Sequence, residues 1–151
     1  MLTLSRLTAL AAVVGIASLG TEGTLAAEAQ VLKVVERATA DAVTDTGAEG
    51  DSAGDLLTFA NGVFDEANAT QIGTDNGWCI RTAVGQAWEC AWTMTLADGQ
   101  INVSGPFLDN KDSLLTVTGG TGSYAGVSGE MLLHARNPEG TEYDFVYKLM
   151  R

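Results

Sequence analysis

The segment VLKVVERAT (31–39) sets a carboxylic acid in apolar company. Read with a period of two, Leu32, Val34, Glu36 and Ala38 share one face, and Lys33, Val35 and Arg37 share the other. The basic pair marks the second face as outward, which turns Glu36 inward. A carboxylate among apolar side chains is costly unless paired, and its pKa rises. That is the profile of a functional acid or base. Two other placements stand beside it: Glu36 at the rim, or Glu36 in an ion pair with Arg81. No Ser-His-Asp, H-E-x-x-H or Cys-His arrangement offers a competing centre. Two cysteines and one histidine are too few for a dedicated structural zinc site. His134, alone between Leu132 and Arg136, reads as an exposed histidine.

A second stretch with chemical potential is TVTGGTGSYAGVSGEM (116–131), with Gly119, Gly120, Gly122, Gly126 and Gly129. A glycine loop that cradles phosphate needs a helix behind it, so that backbone N–H groups and the dipole converge on the anion. Here the glycines run into MLLHAR and then a Pro-Glu-Gly turn, and no Lys-Ser or Lys-Thr follows them. They are better explained as a sharp corner between strands, where a Cβ is excluded.

The elements that position these residues are strands. In WECAWTMTL (88–96), Trp88, Cys90, Trp92, Met94 and Leu96 fall on one face. In EYDFVYKL (142–149), Tyr143, Phe145, Tyr147 and Leu149 do the same. Alternation over such lengths predicts half-buried antiparallel strands. Shorter strands are expected at 31–38, 56–60, 78–83, 100–104, 113–118 and 130–136, with Asp98-Gly99 as a hairpin signal. Residues 39–54, rich in Gly, Ala, Asp, Ser and Thr, read as a mobile surface loop. About eight short strands and no helical stripe predict an all-β barrel or sandwich, and a barrel of that size has room for one small ligand.

Before the strands, Arg6 precedes the apolar run LTALAAVVGIASLG (7–20), and the triplet Ala27-Glu28-Ala29 follows it. This reads as a secretory signal peptide, with one domain over 30–151 and a secreted product. The apolar run is too short to span a bilayer. Export makes a disulfide between Cys79 and Cys90 the expected state. In GWCIRTAVGQAWECAW (77–92) the two lie symmetrically about Val84-Gly85, as cross-strand partners of a hairpin would; the alternative is two free thiols. The formal net charge of −11 gives no electrostatic footprint for nucleic acid or anionic lipid.

The segments GDLLTFANGVF (54–64), GWC (77–79), WECAWTMTL (88–96), INVSGPFLDNKDSLLTVTGGTGSYAGVSGEMLL (101–133) and YDFVYKL (143–149) run in the order and near the spacing of a known family. The chain resembles the allene oxide cyclase family, the barrel group that also includes dirigent-like proteins. The resemblance implies a small antiparallel eight-stranded barrel of calycin type with an apolar lumen, working without cofactor and assembling as a homotrimer. It implies a cyclase or isomerase for a hydrophobic polyunsaturated molecule, derived from a fatty acid or a polyketide. The other function it implies is a non-catalytic, dirigent-like protein that binds a hydrophobic ligand.

The resemblance also assigns roles. Glu36 matches the family glutamate on the first strand, which assists charge delocalisation. Asn61 matches an asparagine that helps hold a water against the substrate oxygen, where its amide would donate to developing negative charge; read locally, Asn61-Gly62 is also an ordinary turn signal. Phe59 takes a pocket aromatic position and Cys79 a cavity cysteine position. Trp88, Trp92, Met94, Phe145 and Tyr147 are core by their stripes and, in a barrel, ligand wall by the same fact. The chain departs from the plant enzymes at Ala38, where they carry a polar residue, at Cys90, where they carry a small one, and in the 39–54 loop, which has no clear counterpart to their Ser-Pro pair.

Overall fold

Alternation decides where these strands run and which way they face. In the computed structural model, which describes residues 29–151, Trp88, Cys90, Trp92 and Met94 are buried while Glu89 between them is exposed. The expected signal peptide lies outside the described residues except for Ala29. Nine strands follow: β1 (Gln30–Arg37), β2 (Asp41–Thr44), β3 (Leu56–Phe64), β4 (Gln71–Ala83), β5 (Ala87–Leu96), β6 (Gly99–Leu108), β7 (Ser113–Gly122), β8 (Ser128–Ala135) and β9 (Glu142–Met150). All pairings are antiparallel, in the order β1-β9-β8-β7-β6-β5-β4-β3-β2, and a β1–β3 pairing closes the sheet on itself.

β2 does not add a ninth stave. Residues Val35–Arg37 pair with Phe64–Gly62, and Asp41–Thr44 pair with Phe59–Leu56, so β1 and β2 lie along the same edge of β3. They act as one strand broken at 38–40, and the barrel has eight staves. The 39–54 segment, expected as an irregular surface loop, therefore contains a strand. The rest of it is tied down by Asp55, whose carboxylate accepts from Ser52 and Thr46 backbone N–H groups and is held below the usual aspartate range by them. The sequence pattern is blind to such side-chain anchors.

The glycine stretch forms the end of β7, a turn, and the start of β8. Gly122 shows why glycine is needed there: its φ is +59°, and a Cβ would sit 2.3 Å from the Asp98 carbonyl oxygen. Asn61-Gly62, a turn signal in the sequence, lies within β3 because both flanks pair, to β1 and to β4. Among the described residues no helix is long and apolar enough to cross a membrane.

Inward-facing side chains of all eight staves fill one core. At one end it is sealed by Met94, Ile101, Met131 and Leu149. Toward the other it opens between Phe59, Trp92, Phe107 and Tyr143. A disulfide joins Cys79 and Cys90, direct cross-strand partners of β4 and β5 with Cα atoms 4.0 Å apart. Closing a loop this short contributes about 2–3 kcal/mol in the chain-entropy account.

Candidate functional site

The break between β1 and β2 leaves backbone donors without a strand partner, and Asn61 fills the gap from β3. Its Oδ1 accepts from the Thr39 N–H (3.0 Å) and the Ala40 N–H (2.9 Å). Its Nδ2 donates to Glu36 Oε1 and to Asp41 Oδ1, both at 2.7 Å. One buried amide thus uses its whole hydrogen-bonding capacity to hold two carboxyls and the broken strand in place.

Glu36 points inward, as its position in the alternation implies, and is 6% exposed. It does not pair with Arg81, which donates bidentately to Asp109 at 2.8 and 2.7 Å and pairs with Asp51 at 2.6 Å. Lys33 and Arg37 face outward, where they bind Glu66 and Asn68 of the β3–β4 connection.

The residue that faces Glu36 is Asp75, on β4, the direct cross-strand partner of Asn61. Asp75 is fully buried, and no donor reaches either of its carboxylate oxygens in good geometry. The Glu36 and Asp75 carboxyls lie within hydrogen-bonding reach of each other. Two carboxylates that close and that dry do not both ionise, and a proton between them supplies Asp75 with the donor it otherwise lacks. Burial, then the Asp75 charge, pushes Glu36 well above the usual glutamate range. Burial raises Asp75 to about 7. Tyr143 and Tyr147, which flank the pair from β9, are both pushed up, first by burial and then by negative charge.

Above the pair is a half-open pocket lined by Glu36, Asp41, Leu57, Phe59, Cys79, Cys90, Trp92, Phe107, Leu133, Tyr143 and Phe145. It holds about 410 Å³ of atom-free space, counting the mouth. Of this, about 60 Å³ is open to the centre of a water-sized sphere, so the cleft as it stands is narrow. Trp92 anchors its wall, edge-on to Phe59 with ring centroids 5.9 Å apart and beside Phe145 at 5.6 Å. Phe107 and Tyr143 form a second edge-to-face pair across the mouth, at 6.0 Å. Trp92 Nε1 and Tyr147 Oη are buried close to each other beneath this wall.

Of the residues singled out from sequence, Glu36, Phe59, Cys79, Trp92 and Phe145 meet at this pocket, and Asn61 stands directly behind it. Cys79 contributes a disulfide sulfur to the wall, with no thiol. Trp88, Met94 and Tyr147 are buried in the core away from the pocket lining; Trp88 carries the Arg81 guanidinium over its ring at 4.0 Å. His134 is exposed and bonded to Asp112 at 2.7 Å. Sequence reasoning missed Asp75, Asp41, Phe107 and Tyr143. A signal for Tyr143 and Phe107 existed in the alternation. None existed for Asp75, which sits in GTDNG, a composition that reads as a turn.

A family model described as allene oxide cyclase matches residues 26–148, most of the chain. The chain belongs to the allene oxide cyclase family. This family barrel superposes on a pyocyanin demethylase with a TM-score of 0.71 at 25% identity, over 80% of this chain and 100% of that one. It superposes on a Diels Alderase from Streptomyces koyangensis at a TM-score of 0.65 and 16% identity, over 86% of this chain and 70% of that one. A pterocarpan synthase dirigent protein gives 0.64 and 12%, over 82% and 94%. The last two likenesses are of fold.

Proposed function

We propose that this allene oxide cyclase-family barrel is a cofactor-independent cyclase or isomerase, acting on a hydrophobic unsaturated small molecule held in its lumen. The observation that carries the reading is the buried Glu36–Asp75 pair at the base of an aromatic pocket. A pair that keeps one proton near neutral pH is both an acid and a base. It can lend the proton to an oxygen or carbon of a conjugated substrate, carry the complementary negative charge while positive charge spreads along the skeleton, and take a proton back when the ring has closed. The aromatic walls hold the flexible skeleton in a near-reactive fold and exclude water. Asn61, with both amide hydrogens already donated, acts by positioning Glu36 and Asp41.

Among the described residues no Lys, Arg or His lines the pocket. A free fatty-acid carboxylate would find no partner there, which favours a polyketide-type skeleton over a fatty acid. A second reading follows from the 25% identical neighbour: the ligand is a flat aromatic compound such as pyocyanin, which five aromatic side chains in the wall would suit.

The test is turnover of a panel of conjugated polyenes and pyocyanin, each against its spontaneous reaction. The enzyme reading expects acceleration of at least one, and loss of one positioned electrostatic contact in Glu36→Gln should slow it about a hundredfold. Binding should change far less, because shape and burial supply it. A parent protein that holds such compounds tightly without accelerating any of them is a dirigent-like binding protein, and the catalytic reading fails.

A further inference from the structure

We infer that the lumen ligand carries a positive charge, on a protonated or quaternary nitrogen within a flat conjugated skeleton, and that its entry displaces the proton held between Glu36 and Asp75. The inference rests on the reading of the lumen as the ligand site, and narrows what that site accepts.

The lumen is acidic without compensation. Glu36 from β1, Asp75 from β4 and Asp41 from the β2 rim converge on Asn61 or on each other. The other titratable groups facing them are Tyr143 and Tyr147 of β9, which are neutral phenols. Arg37 of β1 and Arg81 of β4, the arginines on the strands that carry the pair, are spoken for. Arg37 points outward, with its guanidinium 3.7 Å from the Phe64 ring centroid and its donors on Asn68. Arg81 is enclosed by Asp109, Asp51 and Trp88. A buried carboxyl cluster that receives no cation from the described residues is stabilised by one that arrives from outside.

The wall points the same way. Phe59, Trp92, Phe107, Tyr143 and Phe145 present π faces and edges to a cavity that ends in carboxyls. Such faces attract an organic cation more strongly than a neutral ring of equal size, and more so where water is excluded. Trp92, at the centre of that wall, has its Nε1 buried beside the Tyr147 hydroxyl, so the indole offers the cavity its ring. A cation close to Glu36 and Asp75 favours their fully ionised form, so binding and proton loss are linked.

Three probes of nearly one shape separate charge from fit: N-methylquinolinium (cation), methylnaphthalene (neutral) and naphthoate (anion). Each is titrated calorimetrically into the whole protein at about pH 6 and about pH 8, in about 0.15 M salt to screen exposed carboxylates. The expected order is cation, then neutral, then anion, with the cation about tenfold or more tighter than methylnaphthalene at the higher pH. Its affinity should fall toward the lower pH, and heats measured in two buffers of different ionisation enthalpy should report up to about one proton released per cation bound. Asp75→Asn, checked for folding by circular dichroism, should abolish that release and narrow the preference. The wild-type order decides the matter if this variant does not fold. Naphthoate or methylnaphthalene binding as tightly as the cation overturns the charge preference while leaving the lumen a binding site. If none of the three binds, both the preference and the lumen as ligand site are overturned.

Discussion

At the scale of residues, Glu36 and Asn61 were both legible, for different reasons and to different depths. Glu36 interrupts an apolar face whose opposite face carries Lys33 and Arg37, so period two alone turned it inward. Asn61 drew attention through the family resemblance, which cast it as a donor to a water or an oxyanion. The structure gives it four hydrogen bonds within the protein, to the Thr39 and Ala40 N–H groups and to the Glu36 and Asp41 carboxyls. Asp75 was invisible because its neighbours are Gly, Thr and Asn, and only the register with Asn61 brings it to Glu36. Asn61→Ala should therefore cost about 2–4 kcal/mol of stability, since it strands two backbone donors and loosens two carboxyls. Chemical denaturation measures it; a loss well under 1 kcal/mol would show that the broken strand does not depend on this amide.

At the scale of elements, the long alternating runs that became β5 and β9 were read nearly to their ends, because one face of each is buried and the other is wet. β2 and the first half of β4 were missed. β2 is fully exposed and only four residues long, so no pattern marks it; it forms because Asn61 bridges the gap behind it. The β4 segment Gln71–Gly77 is largely polar and glycine-containing, yet it pairs with β3 and, from Gly73 on, also with β5. Its buried acid has a cost that depends on pH. Folding raises the Glu36 and Asp75 pKa values, so the folded state keeps a proton that the unfolded chain has released. Stability from this source is present below about pH 4 and lost as pH rises through about 7. Asp75→Asn removes one titrating group, so the variant should gain on the parent, by an amount on the order of a few kcal/mol, between about pH 5 and about pH 8. Thermal melts of both proteins across that interval measure the gain. A pH-independent difference between them would mean that Asp75 ionises in the folded protein as freely as in the unfolded one.

At the scale of the whole molecule, closure through β1–β3 leaves no long open edge, and one end of the lumen is packed solid while the other carries the pocket. Barrel closure was legible as a class from strand count and turn spacing; its register was not, since irregularities in the β3–β4, β4–β5 and β6–β7 pairings and the glycine corner set it. The expected cleavage after Ala29 falls one residue before Gln30, which already pairs with Leu149, so processing there would leave β1 whole. Assembly is the remaining expectation at this scale. Trp78 and Ile80 stand on the outer face of β4, 44% and 40% exposed, and a trimer of the kind the family resemblance implies would cover apolar outer surface of this sort. Sedimentation equilibrium should show three copies per particle, at a salt concentration that screens the net charge of −11. A monomer over a wide concentration range would remove the trimer and leave the lumen chemistry untouched.

The claim on which the rest depends is that Glu36 and Asp75 share one proton near neutral pH. Side-chain carboxyl carbon NMR of protein labelled at aspartate and glutamate, titrated and assigned with Glu36→Gln and Asp75→Asn, reads it directly. The account predicts a coupled pair in which one carboxyl is still protonated at a pH of about 7. Two carboxyls that have both ionised by about pH 5, in the ordinary range for exposed acids, would contradict it.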